Sequence, residues 1–325
     1  MQAQWTQFLA QQGAVFSTEN TLLHFGTPFD NAIAYRHDWQ IMNLIGDDAH
    51  TFLQGQLTCD MAEATVSTAC LGAHLSLQGR ALVTLWVLPH PHEEKGFRLL
   101  LPTTQVQALQ TLWEKYLLFS RSTLSVEKEA LLFSAPTEQA NALIANLEND
   151  AQGWQQFQQQ SHSYLITSPC RAMAAWPELN ALGSVGGAWQ GHWWDITNGI
   201  AHIYPGAENK FLPQAMNYDL LNGVSFNKGC YTGQEVVARM KFKGQLRQRL
   251  HHLSWPEETA TTPGLTLRDN NGRALGHVVS GLRHSNNTHV LAVLRRDKEL
   301  PSALEDTSIY THLQTLPYAL PEIGQ

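Results

Sequence analysis

The chain has 325 residues, 43% of them hydrophobic and 15% charged, with a formal net charge of −7. That is apolar material for two or three domains and too much for a disordered chain. An acidic chain does not coat nucleic acid or an anionic membrane with its whole surface, so an anionic partner must be met by a local basic patch.

In chain order, no basic and apolar leader pattern is visible between Met1 and Gly13, and no secretory signal is expected. Gly46-Asp47-Asp48 offers an N-cap to a short apolar helix through Phe52 and Leu53. Residues 81–88 and 97–101 read as strands around a turn-like 89–96, and the apolar run 81–88 is too short to span a bilayer. Thr103 caps an amphipathic helix carrying Val106, Leu109, Trp113, Tyr116 and Leu117 on one face. A strand over 124–133, a helix over 137–147 and a strand over 164–167 follow. This order predicts antiparallel sheets covered by helices, an α+β layout. After residue 245 the pattern changes to short strand segments at 246–253, 265–267, 274–279, 289–294 and 308–313. Asn270-Asn271-Gly272 and Ser285-Asn286-Asn287 supply hairpin turns, so 246–325 reads as a small all-β barrel.

Four cysteines, Cys59, Cys70, Cys170 and Cys230, lack C-x-x-C spacing. That argues against a zinc site and a disulfide scaffold and for a reducing, cytoplasmic compartment. His90-Pro91-His92 and His251-His252 have no Cys or carboxylate ligands at helical spacing, and no metal is expected. The sequence holds no GxGxxG, Walker A or HExxH pattern.

The run Phe226-Asn227-Lys228-Gly229-Cys230-Tyr231-Thr232-Gly233-Gln234-Glu235 is unusual. Gly229 and Gly233 permit backbone shapes closed to other residues, or close approach of a ligand. A helix is expected to start at Gln234, so Cys230 lies ahead of a helix N-terminus and beside Lys228, where thiolate is favoured. The plainer reading of Cys230 is a small buried residue in a tight turn. Between Lys228 and Arg249 six basic residues (Lys228, Arg239, Lys241, Lys243, Arg247, Arg249) face one acidic residue, Glu235. That local excess suits an anionic ligand tail or a phosphate backbone; the alternative is a solvated linker.

The run Lys228–Glu235, preceded by Phe211-Leu212-Pro213-Gln214 and Val224-Ser225-Phe226, resembles the signature of the YgfZ family of folate-binding proteins, relatives of the glycine-cleavage T-protein, an aminomethyltransferase. A second match joins Trp39, Gly46-Asp47-Asp48 and Gln54-Gly55-Gln56-Leu57-Thr58-Cys59-Asp60, in the same order. The resemblance implies a T-protein-like ring, with two interleaved α+β units over 1–245 and a C-terminal β-barrel over 246–325. It implies tetrahydrofolate or another reduced folate in the central opening. It further implies a role in iron–sulfur cluster assembly or repair, and so in the service of tRNA-modifying iron–sulfur enzymes. Cys230, with Lys228 beside it, is the implied reactive residue, within a motif completed by Gly229, Tyr231, Gly233, Gln234 and Glu235. Trp39 matches a folate-site Trp of the family. The gap-free position for a second such Trp is Gly191, a departure, and Trp189 or Trp193 is favoured in its place, an indole face being suited to a flat pterin.

The T-protein carries an Asp pair after a Gly at the entry to a strand; here Val83 and Thr84 follow Gly79. Val cannot do a carboxylate's work on the folate reaction centre, so folate binding is expected to persist without aminomethyl transfer. Two other readings stay open: a folate-dependent one-carbon transferase with altered chemistry, and a module making a weak direct contact with tRNA through the basic segment. No membrane partner is expected.

Overall fold

The chain crosses twice between two five-stranded sheets, and that exchange is what interleaves its first two units. The computed structural model describes residues 2–17, 22–25, 31–256, 259–296 and 300–322. The first sheet is entered at Asn31–Tyr35 and left at once for the second, which is built from Trp39–Gly46, Cys70–Leu75, Ala81–Pro89, Gly96–Pro102 and Ser122–Val126. The chain then returns to the first sheet for Leu131–Pro136, Gln155–Gln159, His162–Thr167 and Ser184–Gly186. Pairing is antiparallel except for Ser184–Gly186, which lies parallel to Asn31–Tyr35. The strand expected over 124–133 is therefore two strands in two sheets. The charged Glu127-Lys128-Glu129 has no place on a buried pleat, and the crossing occurs there.

Both faces of the second sheet are covered, which is why Ala81–Pro89 reads as a near-continuous apolar run. Val83, Leu85 and Val87 pack outward with Leu109 and Trp113 of the helix Val106–Leu117. Trp86 and Leu88 point inward. The same alternation puts Trp39 and Ile41 inward and Met42 and Leu44 outward on Trp39–Gly46. In the first sheet Ile33, Phe133 and Leu165 face outward against helices, while Leu132, Tyr164 and Ile166 face inward.

Residues 248–314 supply a third, seven-stranded antiparallel sheet curled into a half-barrel. Its central strands are Gln248–Trp255, Ala274–His284 and Asn287–Arg295. Ser285 (φ 55°) turns the hairpin in which His284 pairs with Asn287, and Gly272 (φ 74°) turns the preceding one. One face holds Leu253, Trp255 and Val290; the other gives Leu250, Val279, Leu291 and Val293 to a core shared with both earlier sheets. Between the helices Ala188–Thr197 and Gln234–Phe242, residues 198–233 form turns and extended stretches, yet Ile203, Phe211, Met216 and Tyr218 are buried at the centre of that shared core. Two side chains of this segment tie it down: Tyr218 Oη donates to Ala201 O within the segment (2.6 Å) and Asn217 Nδ2 to Leu250 O of the half-barrel (3.0 Å). Among the described residues no helix is long and apolar enough to cross a membrane.

Candidate functional site

The two short motifs, far apart in sequence, dock on each other. Lys228 is 9% exposed. Its Nζ donates to the carbonyls of Leu57 (2.9 Å) and Cys59 (2.5 Å), and the ammonium lies 5.2 Å from the Tyr231 ring centroid. Ser225 N donates to Thr58 O (2.9 Å), Thr58 Oγ1 to Gly223 O (2.6 Å) and Thr232 N to Gly55 O (3.2 Å). Burial lowers the Lys228 pKa from its ordinary value, but two carbonyl acceptors keep the charged form well solvated. Lys228 is thus a clasp that positions the loop, with its hydrogen bonds made to the Gln54–Asp60 run rather than to the thiol beside it.

Held between buried Lys228 and buried Tyr231, Gly229 and Cys230 are exposed. The reading of Cys230 as a small buried turn residue is corrected by that exposure. Gly233 (φ +79°) is the glycine the loop requires: a Cβ there would meet Ser76 O at 2.5 Å. A Cβ at Gly229 would meet nothing within 4 Å, so sterics do not demand that glycine. Gln234 opens the helix Gln234–Phe242, and Glu235 pairs with Arg239 (2.9 Å) on its exposed surface. Of the other cysteines, Cys59 and Cys70 are buried and Cys170 is exposed. The neighbouring Cys59 and burial push the Cys70 thiol far up from its ordinary value.

A second centre surrounds Trp39, which is 6% exposed. His202 meets its ring edge-on (4.6 Å between centroids), and the Arg36 guanidinium lies 4.9 Å from the ring centroid. Arg36 is fully buried and pairs with Asp195 (2.9 Å) and Asp38 (3.2 Å). Asp195 also accepts from Tyr164 Oη (3.2 Å), and Asp38 meets His192 Nε2 (2.9 Å). Burial works against ionisation of Asp38, but Arg36 and His192 outweigh it and hold the carboxyl well below its ordinary value. Burial pushes His202 down to about 4, so its imidazole is neutral at pH 7. Several buried polar atoms here have no protein partner: Arg36 Nη1, Trp39 Nε1 and His202 Nε2. Trp39 and Arg36 also line a cavity of about 190 Å³ that reaches exposed Lys128.

The departure at Gly191 has a structural reason. A Cβ there would meet Arg36 Cδ at 2.3 Å, so the space a larger residue would need is filled by Arg36. Trp193 stacks on His284 of the half-barrel (3.9 Å, 11°), and Trp189 is half-buried on the same helix. The ring neighbours of Trp193 (His284, His289, His252) differ from those of Trp39. Of the pair after Gly79, Thr84 faces the centre, its Oγ1 accepting from Ile203 N (2.9 Å) and lying 3.4 Å from His202 Nδ1. Val83 faces the opposite, outer core. Arg36, Asp195, Tyr164 and His202 were not legible as site residues: Arg36 and Asp195 are 159 positions apart, and each alone looks like an ordinary surface residue.

No family model matches the chain. The tRNA-modifying protein YgfZ of Sodalis glossinidius (strain morsitans) is 32% identical over 308 residues, covering 88% of this chain and 92% of that protein. The chain belongs to the YgfZ family. The solved structure of the glycine cleavage system aminomethyltransferase T from Bartonella henselae superposes with a TM-score of 0.67 over 96% of both chains at 15% identity. The YgfZ-family chain thus shares the T-protein fold, which the interleaved sheets and half-barrel display.

Proposed function

We propose that this YgfZ-family protein binds a reduced folate beside Trp39 and, through Cys230, supports tRNA modification by assembling or repairing the clusters of iron–sulfur enzymes. The observation that carries the folate reading is the set of unpartnered buried polar atoms around Trp39: Arg36 Nη1, Trp39 Nε1 and His202 Nε2. Buried polar groups are rarely left unpaired, and a pterin edge carries donors and acceptors that suit them. Trp39 would hold the pterin and Arg36 would stand where a second indole is expected, with Lys128 available to a glutamate tail. The bound folate would supply a one-carbon carrier. Thr84 in place of a carboxylate removes the group that would act on that carrier, which favours a binding role over aminomethyl transfer. Exposed Cys230, presented by the Lys228 clasp, supports a thiol role toward a protein-borne cluster. Tetrahydrofolate is expected to quench intrinsic Trp fluorescence, and Trp39→Ala to weaken binding by roughly tenfold, about 1.4 kcal/mol. Equal affinity in wild type and variant would show that Trp39 is a core residue only.

A further inference from the structure

Beside the Lys228–Glu235 loop, and apart from the Trp39 centre, lies an open cleft of about 620 Å³. Two of its lining residues are almost wholly buried and incompletely bonded. Gln214 (3% exposed) donates through Nε2 to Val237 O (2.7 Å), while its Oε1 accepts from no protein group. Arg249 (5% exposed) grips Asp219 with Nη1 (2.6 Å) and Nη2 (3.0 Å), while its Nε donates to none. Both atoms lie beneath the cleft lining, out of contact with solvent, and offer one unpaired acceptor and one unpaired donor to a ligand that displaces what covers them. The charge beside them is already neutralised, because Asp219 faces the guanidinium. Arg296 and Lys241 in the lining are balanced by Glu63 and Glu322, and Asn222, Asn227 and Gln245 add neutral amides. Such an interior suits an uncharged planar heterocycle with adjacent donor and acceptor atoms.

The rim has the opposite character. Lys241 is exposed in the last turn of the motif helix, and Lys243 and Arg247 are exposed on the strip that follows it. Between the two lysines Phe242 is 69% exposed, 6.2 Å from Phe226 at its edge, and Lys241 lies 5.4 Å from the Phe226 ring centroid. An apolar ring kept in water among cations, at the mouth of a neutral polar cleft, is the arrangement that binds single strands: phosphates on the basic rim, bases on the aromatic ring. We infer that this cleft takes one unpaired nucleotide of a single-stranded nucleic acid, its base meeting Gln214 Oε1 and Arg249 Nε–H and a neighbouring base stacking on Phe242. This goes beyond the folate reading and does not depend on it.

The test is fluorescence anisotropy on the full chain without folate, using end-labelled oligouridine and oligodeoxythymidine decamers and an abasic decamer with the same phosphates. The base-containing strands should bind about tenfold more tightly than the abasic one, the range of aromatic–base stacking. Phe242→Ala should remove most of that advantage and leave abasic binding unchanged; a thermal melt matching wild type would confirm an intact fold, as expected for so exposed a ring. Lys241→Ala with Lys243→Ala should weaken every strand and flatten the salt dependence. RNA and DNA arms identify the sugar, and tighter binding of either over the abasic strand supports the site. Equal binding of base-containing and abasic strands, or a Phe242→Ala variant that discriminates as well as wild type, would reduce the surface to plain electrostatics and overturn the inference. Trp quenching by folate is read separately, so the two readings fail independently.

Discussion

Cys230 is flanked by residues that cannot follow it into solvent: Lys228 is tied to two carbonyls and Tyr231 is 7% exposed. The loop is therefore anchored on both sides of an accessible thiol, and a substitution at its tip disturbs little packing. Accessible thiols react first. Cys230 and Cys170 are expected to alkylate under native conditions, and Cys59 and Cys70 only on unfolding, as read by mass spectrometry after iodoacetamide labelling. Cys230→Ser should leave the melting temperature and folate affinity unchanged yet fail to restore cluster-dependent tRNA modification in cells lacking the native protein. Cys170→Ser should restore it. Full rescue by Cys230→Ser would leave the residue no chemical role. The presence of Cys230 in a distinctive octapeptide was readable directly, since composition and glycine spacing are local. Its presentation was not. The sequence places Lys228 beside the thiol, whereas the folded chain turns the ammonium inward, because the carbonyls of Leu57 and Cys59 are brought to it from 171 and 169 positions away.

The elements legible in the sequence were those whose signal is local and periodic. The helix Val106–Leu117 carries its apolar stripe at helical spacing, and the hairpin joining Ala274–His284 to Asn287–Arg295 has turn residues that accept positive φ. What failed at this scale was decided by partners elsewhere. The apparent strand 124–133 splits because its two ends pair in different sheets. The segment 198–233 carries no regular period because it is folded by contacts with the three large sheets. The motif loop belongs to this class too, and its clasp can be tested. Lys228→Met keeps the apolar stem and removes the ammonium, leaving two carbonyls short of a donor. Unsatisfied buried acceptors cost roughly 1–3 kcal/mol. The variant is expected to lower the urea midpoint accordingly and to speed proteolysis within 226–233. A midpoint equal to wild type would show that the loop is held by the Ser225, Thr58 and Thr232 bonds alone.

At the scale of the whole molecule, burial of imidazoles couples stability to pH. His74, His162, His202, His251, His252 and His289 are each pushed down by burial to about 4. Their folded values lie below the ordinary value of about 6.5, so the unfolded chain binds more protons between these limits. Stability contributed by these groups is complete above about pH 6.5 and is lost as pH falls toward 4. Asp38 does not offset this loss. Its carboxyl is held below its ordinary value, so its contribution persists through the same window and disappears only in stronger acid. The melting temperature is expected to fall by several degrees between pH 7.5 and pH 5; a flat profile would mean that these imidazoles are hydrated in solution.

The same shared core decides whether the half-barrel is an independent body. In sequence the change of character after residue 245 looks like a domain boundary, because strand periodicity and hairpin turns are local. In the fold, one face of the half-barrel gives Leu250, Val279, Leu291 and Val293 to a core that also holds Leu132, Tyr164 and Trp86. Polar ties cross the same junction: Arg249 pairs with Asp219 (2.6 Å), Asn217 Nδ2 donates to Leu250 O (3.0 Å) and Tyr318 Oη to Gly199 O (2.8 Å). The remaining private core of the half-barrel is a small cluster around Leu253, Trp255 and Val290. A domain of that size is marginal even with both faces covered. A fragment of residues 246–325 is therefore expected to show no cooperative thermal transition and to bind a dye for exposed apolar surface. The full chain should unfold in one transition followed equally by far-UV and near-UV circular dichroism. A fragment with its own sharp transition, or a full chain melting in two steps, would show that the central core is a contact between finished domains rather than the structure on which the three large sheets depend.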